Sequence, residues 1–179
     1  MPDDTTSRLA RLRTRFSLLD INADGHLRAE NFDLLAERVL DALIVKRDSA
    51  RAIALRRGCR IYWQGLAAMA GGGDDDVVSF KKYAAVIPNN AHFDRYGRAY
   101  ASALTSLADV NDDGQVERVD FLACMEAIGF AIPQIERTYA ELSHDGAVTT
   151  EDWKTAIRDF YLSDTAYTPG QFLLEHRSA

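Results

Sequence analysis

Apolar residues recur at helical spacing on both sides of two short polar segments, which begin at residues 20 and 109. Around the first segment the apolar positions are Leu9, Leu12, Phe16 and Leu19 before it, and Phe32, Leu35, Val39 and Leu43 after it. Around the second segment they are Tyr96, Tyr100, Ala103 and Leu107 before it, and Phe121, Met125 and Ile128 after it. Steps of three and four residues place such side chains on one face of a helix. The pattern therefore predicts a helix, a loop and a second helix, twice along the chain.

The two polar segments share one motif, which reads DINADGHL in residues 20–27 and DVNDDGQV in residues 109–116. Aspartate or asparagine stands at positions 1, 3 and 5, glycine at position 6 and an apolar residue at position 8. Five residues after that apolar position comes a phenylalanine in both cases, Phe32 and Phe121. The motif defines two loops of twelve residues, 20–31 and 109–120.

Two weaker copies of this unit complete the chain. Loop 141–152 keeps Asp145 and Gly146 in register and has Trp153 in the phenylalanine position. Loop 71–82 keeps the apolar positions with Val78 and Tyr83 but has glycine at positions 1 and 3, and its incoming helix is predicted over residues 49–70. We therefore predict an all-α chain of four helix-loop-helix units in one compact globule, with short β contacts between paired loops. These contacts are expected to join Leu27 to Val78 and Val116 to Val148.

Prolines mark the predicted boundaries. Pro88 ends a helix, because proline has no amide proton for an intrahelical bond, and it divides the chain into halves 1–88 and 89–179. Pro133 suits the first turn of a helix. The apolar tail at residues 172–174 is expected to pack back onto the core.

The third loop has the chemistry of a calcium site. Calcium takes six to eight oxygen ligands, which a loop of this kind supplies from positions 1, 3, 5, 7 and 12, while glycine at position 6 allows the sharp turn. These positions hold Asp109, Asn111, Asp113, the Gln115 carbonyl and Asp120, with Glu117 at position 9. Position 12 usually holds a bidentate glutamate. The shorter Asp120 favours fewer ligands, so we expect this loop to accept magnesium as well as calcium.

The other loops depart further from that ligand set. The first loop offers Asp20, Asn22, Asp24, the His26 carbonyl and Asn31, and we expect weaker binding because Arg28 stands at position 9 and Asn31 carries no charge. The fourth loop offers Glu141, Ser143, Asp145 and Asp152, and the sequence does not decide whether this set binds a metal ion. The second loop has Lys82 at position 12, and its ammonium would repel a cation.

These motifs resemble the EF-hand proteins, and in particular the sarcoplasmic calcium-binding proteins and the bacterial calerythrin-like group. The resemblance covers nearly the whole chain and includes Arg15-Phe16, residues 63–67 and residues 158–160. It implies a single globule that acts as a calcium buffer or transporter. A regulatory sensor is the alternative, but sensors favour methionine-rich grooves and only three methionines are present. A luciferin-binding photoprotein would need an inward cluster of histidine, tyrosine and tryptophan. We do not expect this function, because the chain has four histidines and two of them, His26 and His144, lie in the loops. We expect Tyr62 and Trp63 to lie in the core instead.

Charge, apolar runs and cysteines bear on the partners and the cellular location of the protein. The net charge of −6 argues against nucleic acid as a partner, and no apolar run approaches the roughly 18 to 20 residues that span a membrane. The sequence contains no motif that pairs a nucleophile with a base, so we do not expect an enzyme. Cys59 and Cys124 are expected to be buried, reduced thiols, which favours a cytoplasmic location. The first residues show no basic start followed by an apolar stretch, so we expect no secretory signal, and we expect a monomer. A protein target remains open.

Overall fold

The structure, a computed structural model, describes residues 4–72, 76–86, 90–162 and 173. Its elements repeat the order helix, short strand, helix four times along the chain. A π-helical turn at Phe93–Gly97 lies between the second and third repeats. The helices are α1 Asp4–Leu19, α2 Ala29–Ala42, α3 Ala50–Met69, α4 Phe80–Val86, α5 Asn90–His92, α6 Arg98–Ala108, α7 Arg118–Ile128, α8 Ile132–Leu142 and α9 Thr150–Leu162; the strands are β1 His26–Leu27, β2 Val78–Ser79, β3 Gln115–Val116 and β4 Val148–Thr149. The predicted all-α fold is confirmed.

Local signals in the sequence account for several helix ends. Ser49 caps α3, since its side chain accepts a hydrogen bond from the amide of Ala52 at 3.2 Å. Helix α3 lies inside the predicted range 49–70. Pro133 lies in the first turn of α8, as expected. Gly129 ends α7 with φ of 119°, a backbone conformation that only glycine adopts without strain.

Loops pair through the short strands in the predicted register. Strand β1 pairs with β2, placing Leu27 opposite Val78, and β3 pairs with β4, placing Val116 opposite Val148. All four of these side chains are buried. The apolar residue at position 8 thus anchors each loop to its partner and to the core.

Helices from the two predicted halves pack directly on each other. Helix α3 crosses α6 so closely that a Cβ atom added at Gly58 would lie 2.9 Å from the Cα atom of Tyr100. Helix α2 also contacts α7. The boundary predicted at Pro88 stays a prediction, because residues 87–89 lie outside the described residues.

Aromatic rings fill the centre of the molecule. Tyr62 stacks on Tyr100 with ring centroids 6.0 Å apart, and the edge of Tyr161 meets it at 5.7 Å. Tyr62 and Trp63 are core residues, as predicted. His92 is buried beside them, with its ring 6.3 Å from that of Tyr62. These rings contact one another.

A buried arginine joins the two ends of the described chain. Arg15 on α1 is 2% exposed and donates from Nη1 to the carbonyl of Tyr161, in the last turn of α9, at 3.2 Å. Its guanidinium also lies over the ring of Phe160 at 5.3 Å. A cation suits this place, since the carbonyl end of a helix carries partial negative charge. Burial lowers the pKa of Arg15 from its ordinary value.

Both cysteines are buried free thiols, as expected. Leu173 is 5% exposed and belongs to the core, so this part of the tail packs back as predicted, while residues 172 and 174 lie outside the described residues. None of the helices in the described ranges is long and apolar enough to cross a membrane.

Candidate metal centre

The third loop is organised by its first residue, Asp109. This side chain is 4% exposed and follows directly on α6. Its Oδ1 accepts a hydrogen bond from the amide of Asp113 at 3.1 Å, and its Oδ2 accepts one from Gly114 at 2.9 Å. Gly114 makes this possible with φ of +82°. One carboxylate thus bends the loop around itself.

The residues at positions 3 and 5 complete this network. Asn111 donates from Nδ2 to Asp113 Oδ2 at 3.0 Å, and its Oδ1 accepts from the amide of Asp113 at 3.3 Å. Asp113 Oδ1 accepts from the amide of Gln115 at 2.9 Å. The structure therefore brings Asp109, Asn111 and Asp113 together, as the motif predicts.

Asp120, at position 12, lies apart from that network, in the first turn of α7. Within the described residues its carboxylate makes no hydrogen bond and no ion pair, and partial burial raises its pKa. Glu117, at position 9, is exposed and makes no capping hydrogen bond. Among the residues that the structure describes, neither of these two loop carboxylates pairs with a cationic side chain.

The first loop has the same backbone organisation. Asp20 accepts hydrogen bonds from the amides of Asp24 at 3.1 Å and Gly25 at 2.8 Å, as Asp109 does in the third loop. The amide of His26 donates to Asp24 Oδ1 at 2.9 Å. The His26 ring is exposed and lies beside the same residue, so it faces solvent rather than the centre of the loop.

The remaining side-chain ligand positions of the first loop accept hydrogen bonds from other groups of the protein. The guanidinium of Arg28 lies 2.5 Å from Asp24 Oδ2, and this hydrogen bond lowers the pKa of Asp24. Asn31 is 3% exposed; its Oδ1 accepts from the amide of Arg28 at 2.8 Å, and its Nδ2 donates to Asn22 Oδ1 at 3.0 Å. The oxygens of positions 3, 5 and 12 thus already have partners within the protein.

The fourth loop follows a different backbone path. Asp145 and Gly146 both have positive φ, 52° and 88°, and His144 and Ala147 exchange two backbone hydrogen bonds of 2.9 and 3.2 Å. This is a tight hairpin turn of the kind that Asp-Gly favours. The hydroxyl of Tyr139 donates to the Gly146 carbonyl at 2.8 Å and fixes the turn. In the described structure Glu141 accepts none of the amide bonds that Asp20 and Asp109 accept, so this loop lacks the wrapped form of the other two.

No protein-family model matches the sequence. Calerythrin of Saccharopolyspora erythraea is 24% identical over 159 residues, which are 84% of this chain and 90% of calerythrin. A calcium-binding protein of Streptomyces coelicolor, whose structure is described as the structural basis for prokaryotic calcium-mediated regulation by that protein, matches with a TM-score of 0.74 and 25% identity over 84% of this chain and 95% of that one. The photoprotein mitrocomin of the jellyfish Mitrocoma cellularia shares the fold, with a TM-score of 0.74 and 17% identity over 95% and 93% of the two chains.

The chain is thus similar to calerythrin in sequence and has the EF-hand fold of these calcium-binding proteins. The donor chemistry of its third loop suits calcium, because Asp109, Asn111, Asp113 and the Gln115 carbonyl all present oxygen. Within the described residues, no three carboxylate, histidine or cysteine side chains lie close enough to hold a metal by themselves. The fit of the third EF-hand loop therefore depends on its amide and carbonyl oxygens as well as its carboxylates.

One residue of the site is not evident from the sequence. Arg51, near the start of α3, donates from Nη1 to the backbone carbonyl of Asp109 at 2.6 Å and pairs from Nη2 with Asp112 Oδ1 at 3.0 Å. It lies 58 positions before the loop that it contacts, and no local motif includes it. The second EF-hand loop offers no comparable detail, since residues 73–75 lie outside the described residues.

Proposed function

We propose that this protein is a cytoplasmic calcium buffer whose principal site is the third EF-hand loop. The observation that carries the proposal is the hydrogen-bond network that gathers the oxygens of Asp109, Asn111 and Asp113 around one turn. Asp120 is then the ligand that approaches from α7 when the ion binds. Similarity to calerythrin and to the Streptomyces coelicolor calcium-binding protein supports calcium as the ion that this loop binds.

The first loop is proposed as a weaker site that uses Asp20, Asn22, Asp24, the His26 carbonyl and Asn31. Its backbone matches that of the third loop, but it brings two carboxylates where the third brings three, and Arg28 adds a positive charge. Coulomb attraction for a divalent cation is correspondingly lower. We do not assign an ion to the fourth loop, because its hairpin turn does not wrap around a centre.

Magnesium is proposed as a second ion for the third loop. The short side chain of Asp120 favours binding through one oxygen, which suits the six-coordinate geometry of magnesium. Calorimetric titration with calcium, repeated with millimolar magnesium present, should show weaker apparent calcium binding. Asp120→Glu restores the longer carboxylate and should reduce this competition; equal competition in both proteins would contradict the assignment.

A buffer role is favoured over a sensor role because the chain's own tail residue Leu173 packs into the apolar pocket of the C-terminal half. Leu173 of the tail lies against an apolar pocket lined by Leu104, Met125, Trp153 and Phe160, and this pocket contains a single methionine. The alternative, a sensor that exposes this pocket to a target protein, is supported by the regulatory role stated for the Streptomyces coelicolor protein. Fluorescence of a hydrophobic dye separates the two: a large calcium-dependent rise would favour the sensor.

Two matched substitutions test the site itself. Asp109→Asn and Asp112→Asn each remove one negative charge from the third loop, but only Asp109 is a proposed ligand. Asp109→Asn should weaken the tighter calcium site by roughly a hundredfold or more, which is about 2.7 kcal/mol. Asp112→Asn should change it by less than about fivefold, since an exposed charge pair contributes little. Equal effects in a calorimetric titration would show that the loop attracts cations only through its net charge.

A further inference from the structure

The first EF-hand loop differs from the third in having a cation of its own. Arg28 stands at position 9, and its guanidinium reaches back four residues to Asp24 Oδ2 at 2.5 Å. Glu117 stands at the same position of the third loop and makes no such contact. The two loops therefore share one backbone form but differ in what balances the charge of the residue at position 5.

We propose that Arg28 is a tethered substitute for the metal ion, so that the first loop holds its folded form without calcium and binds calcium only by releasing Arg28. This inference deepens the proposed function and rests on it, since it takes the first loop as the weaker calcium site. It makes Arg28 a specificity-determining residue, one that sets the calcium concentration at which the N-terminal half responds.

Repulsion between Arg28 and a bound divalent cation supports the role of Arg28 as a substitute for the metal ion. A divalent ion bound to Asp20 and Asp24 would lie near the guanidinium, and repulsion between the two cations favours one of them at a time. The pair is partly exposed, with 39% of each side chain accessible to solvent, so Arg28 can leave Asp24 for water without a buried charge being stranded. Arg28 is thus displaceable rather than permanent.

Asn31 secures the same state from the other end of the loop. Its Oδ1 accepts the amide of Arg28 and so begins α2, while its Nδ2 holds the oxygen of Asn22. Position 12 is therefore part of the helix cap, and position 3 is held by position 12. Asp120 in the third loop has no such engagement within the described residues and is available to an ion. Together, Arg28 and Asn31 give the first loop the contacts that a bound metal ion would supply in the third loop.

The test uses the full chain with the third loop silenced. In protein with Asp109→Asn and Asp120→Asn, which lacks two of the three carboxylate ligands of the third loop, the calcium binding that remains belongs to the first loop, and adding Arg28→Gln should tighten it about tenfold in a calorimetric titration. The same substitution should speed hydrogen exchange at the amides of Asp24, Gly25 and His26 in the metal-free protein, because the loop loses its internal cation. Unchanged affinity together with unchanged exchange would overturn the proposal.

A reciprocal pair of variants in the third loop provides a control that leaves the first loop intact. Glu117→Arg should install the same competitor at position 9 and weaken calcium binding there at least about tenfold more than Glu117→Gln does. Equal effects of the two would overturn the idea that an arginine at this position excludes the ion. If instead Asp109→Asn leaves the wild-type titration unaltered, the proposed function fails first, and this result is distinct from a failure of the arginine argument.

Discussion

At the scale of single residues, one aspartate at the start of each of two loops, Asp20 and Asp109, shapes the turn that follows it. The motif located Asp20 and Asp109, and in both loops the first aspartate accepts the two amide bonds that shape the turn. The spacing also identified Arg28 as a cation near the first loop. The contact of Arg28 with Asp24 depends on the conformation of the arginine side chain, and the role of Asn31 as a cap depends on its burial. Neither the conformation nor the burial could be predicted from the sequence.

Ile44 gives a residue-scale prediction about stability. It follows α2 with φ of 53° and its side chain is 91% exposed, while the amides of Ile44 and Val45 bond back to the carbonyls of Asp41 and Leu40. This is a helix end where glycine is preferred, and a β-branched residue is strained there. Ile44→Gly should therefore raise the free energy of unfolding by about 1 kcal/mol, because little packing is lost.

Urea denaturation at fixed calcium measures this effect, and Ile44→Ala is the control. Alanine removes the branched side chain but keeps the Cβ atom that conflicts with a positive φ, so it should gain less than glycine. An equal gain in both variants would assign the effect to the exposed apolar surface of Ile44 instead of to its backbone.

At the scale of elements, helices and strand pairs were predictable because their signals are local. Caps, prolines and apolar periodicity lie within a few residues of the ends that they determine, and the registers of Leu27 with Val78 and Val116 with Val148 follow from position 8 of the loop. The path of the fourth loop was not predictable in this way. There Asp145-Gly146 satisfies both the loop motif and a hairpin turn, and the bond from Tyr139 to Gly146 favours the turn.

The crossing of α3 and α6 supplies an element-scale prediction. At Gly58 a methyl group would lie 2.9 Å from Tyr100 Cα and 3.0 Å from the Ala99 carbonyl oxygen, and backbone atoms cannot move aside as a side chain can. Gly58→Ala should therefore destabilise the protein by about 1–3 kcal/mol, despite the higher helix propensity of alanine.

Ala54→Gly on the exposed side of the same helix calibrates the opposing effect. It should cost about 1 kcal/mol through propensity alone. Thermal and urea unfolding of both variants would separate packing from propensity; a stabilised Gly58→Ala protein would show that the two helices can move apart without loss.

At the scale of the whole molecule, contacts across the two predicted halves connect the third loop, the proposed principal metal site, to the rest of the core. Arg51 ties the third loop to α3, α3 packs on α6, and Arg15 ties α1 to the end of α9. An ion in the third loop is therefore expected to stabilise the entire fold rather than one half. These long-range contacts could not be predicted from the sequence, because each joins residues that no local pattern relates.

The buried thiols and phenols give the last prediction, a loss of stability at alkaline pH. Burial raises the pKa of Cys59 from 9.0 to about 12, and it raises the pKa values of Cys124, Tyr62 and Tyr100 as well. Above about pH 9 the unfolded chain loses thiol protons that the folded chain keeps. The unfolded state then binds fewer protons, so the free energy of unfolding falls as pH rises.

Urea unfolding under reducing conditions between about pH 7.5 and 11 measures this decline. The double variant Cys59→Ala and Cys124→Ala should remain level up to about pH 10, where the buried tyrosines begin to contribute, while the wild type should decline from about pH 9. Because alanine also leaves cavities, the comparison depends on the slope with pH and not on the absolute stability. Parallel slopes in the two proteins would show that the thiols ionise equally well in the folded and unfolded states.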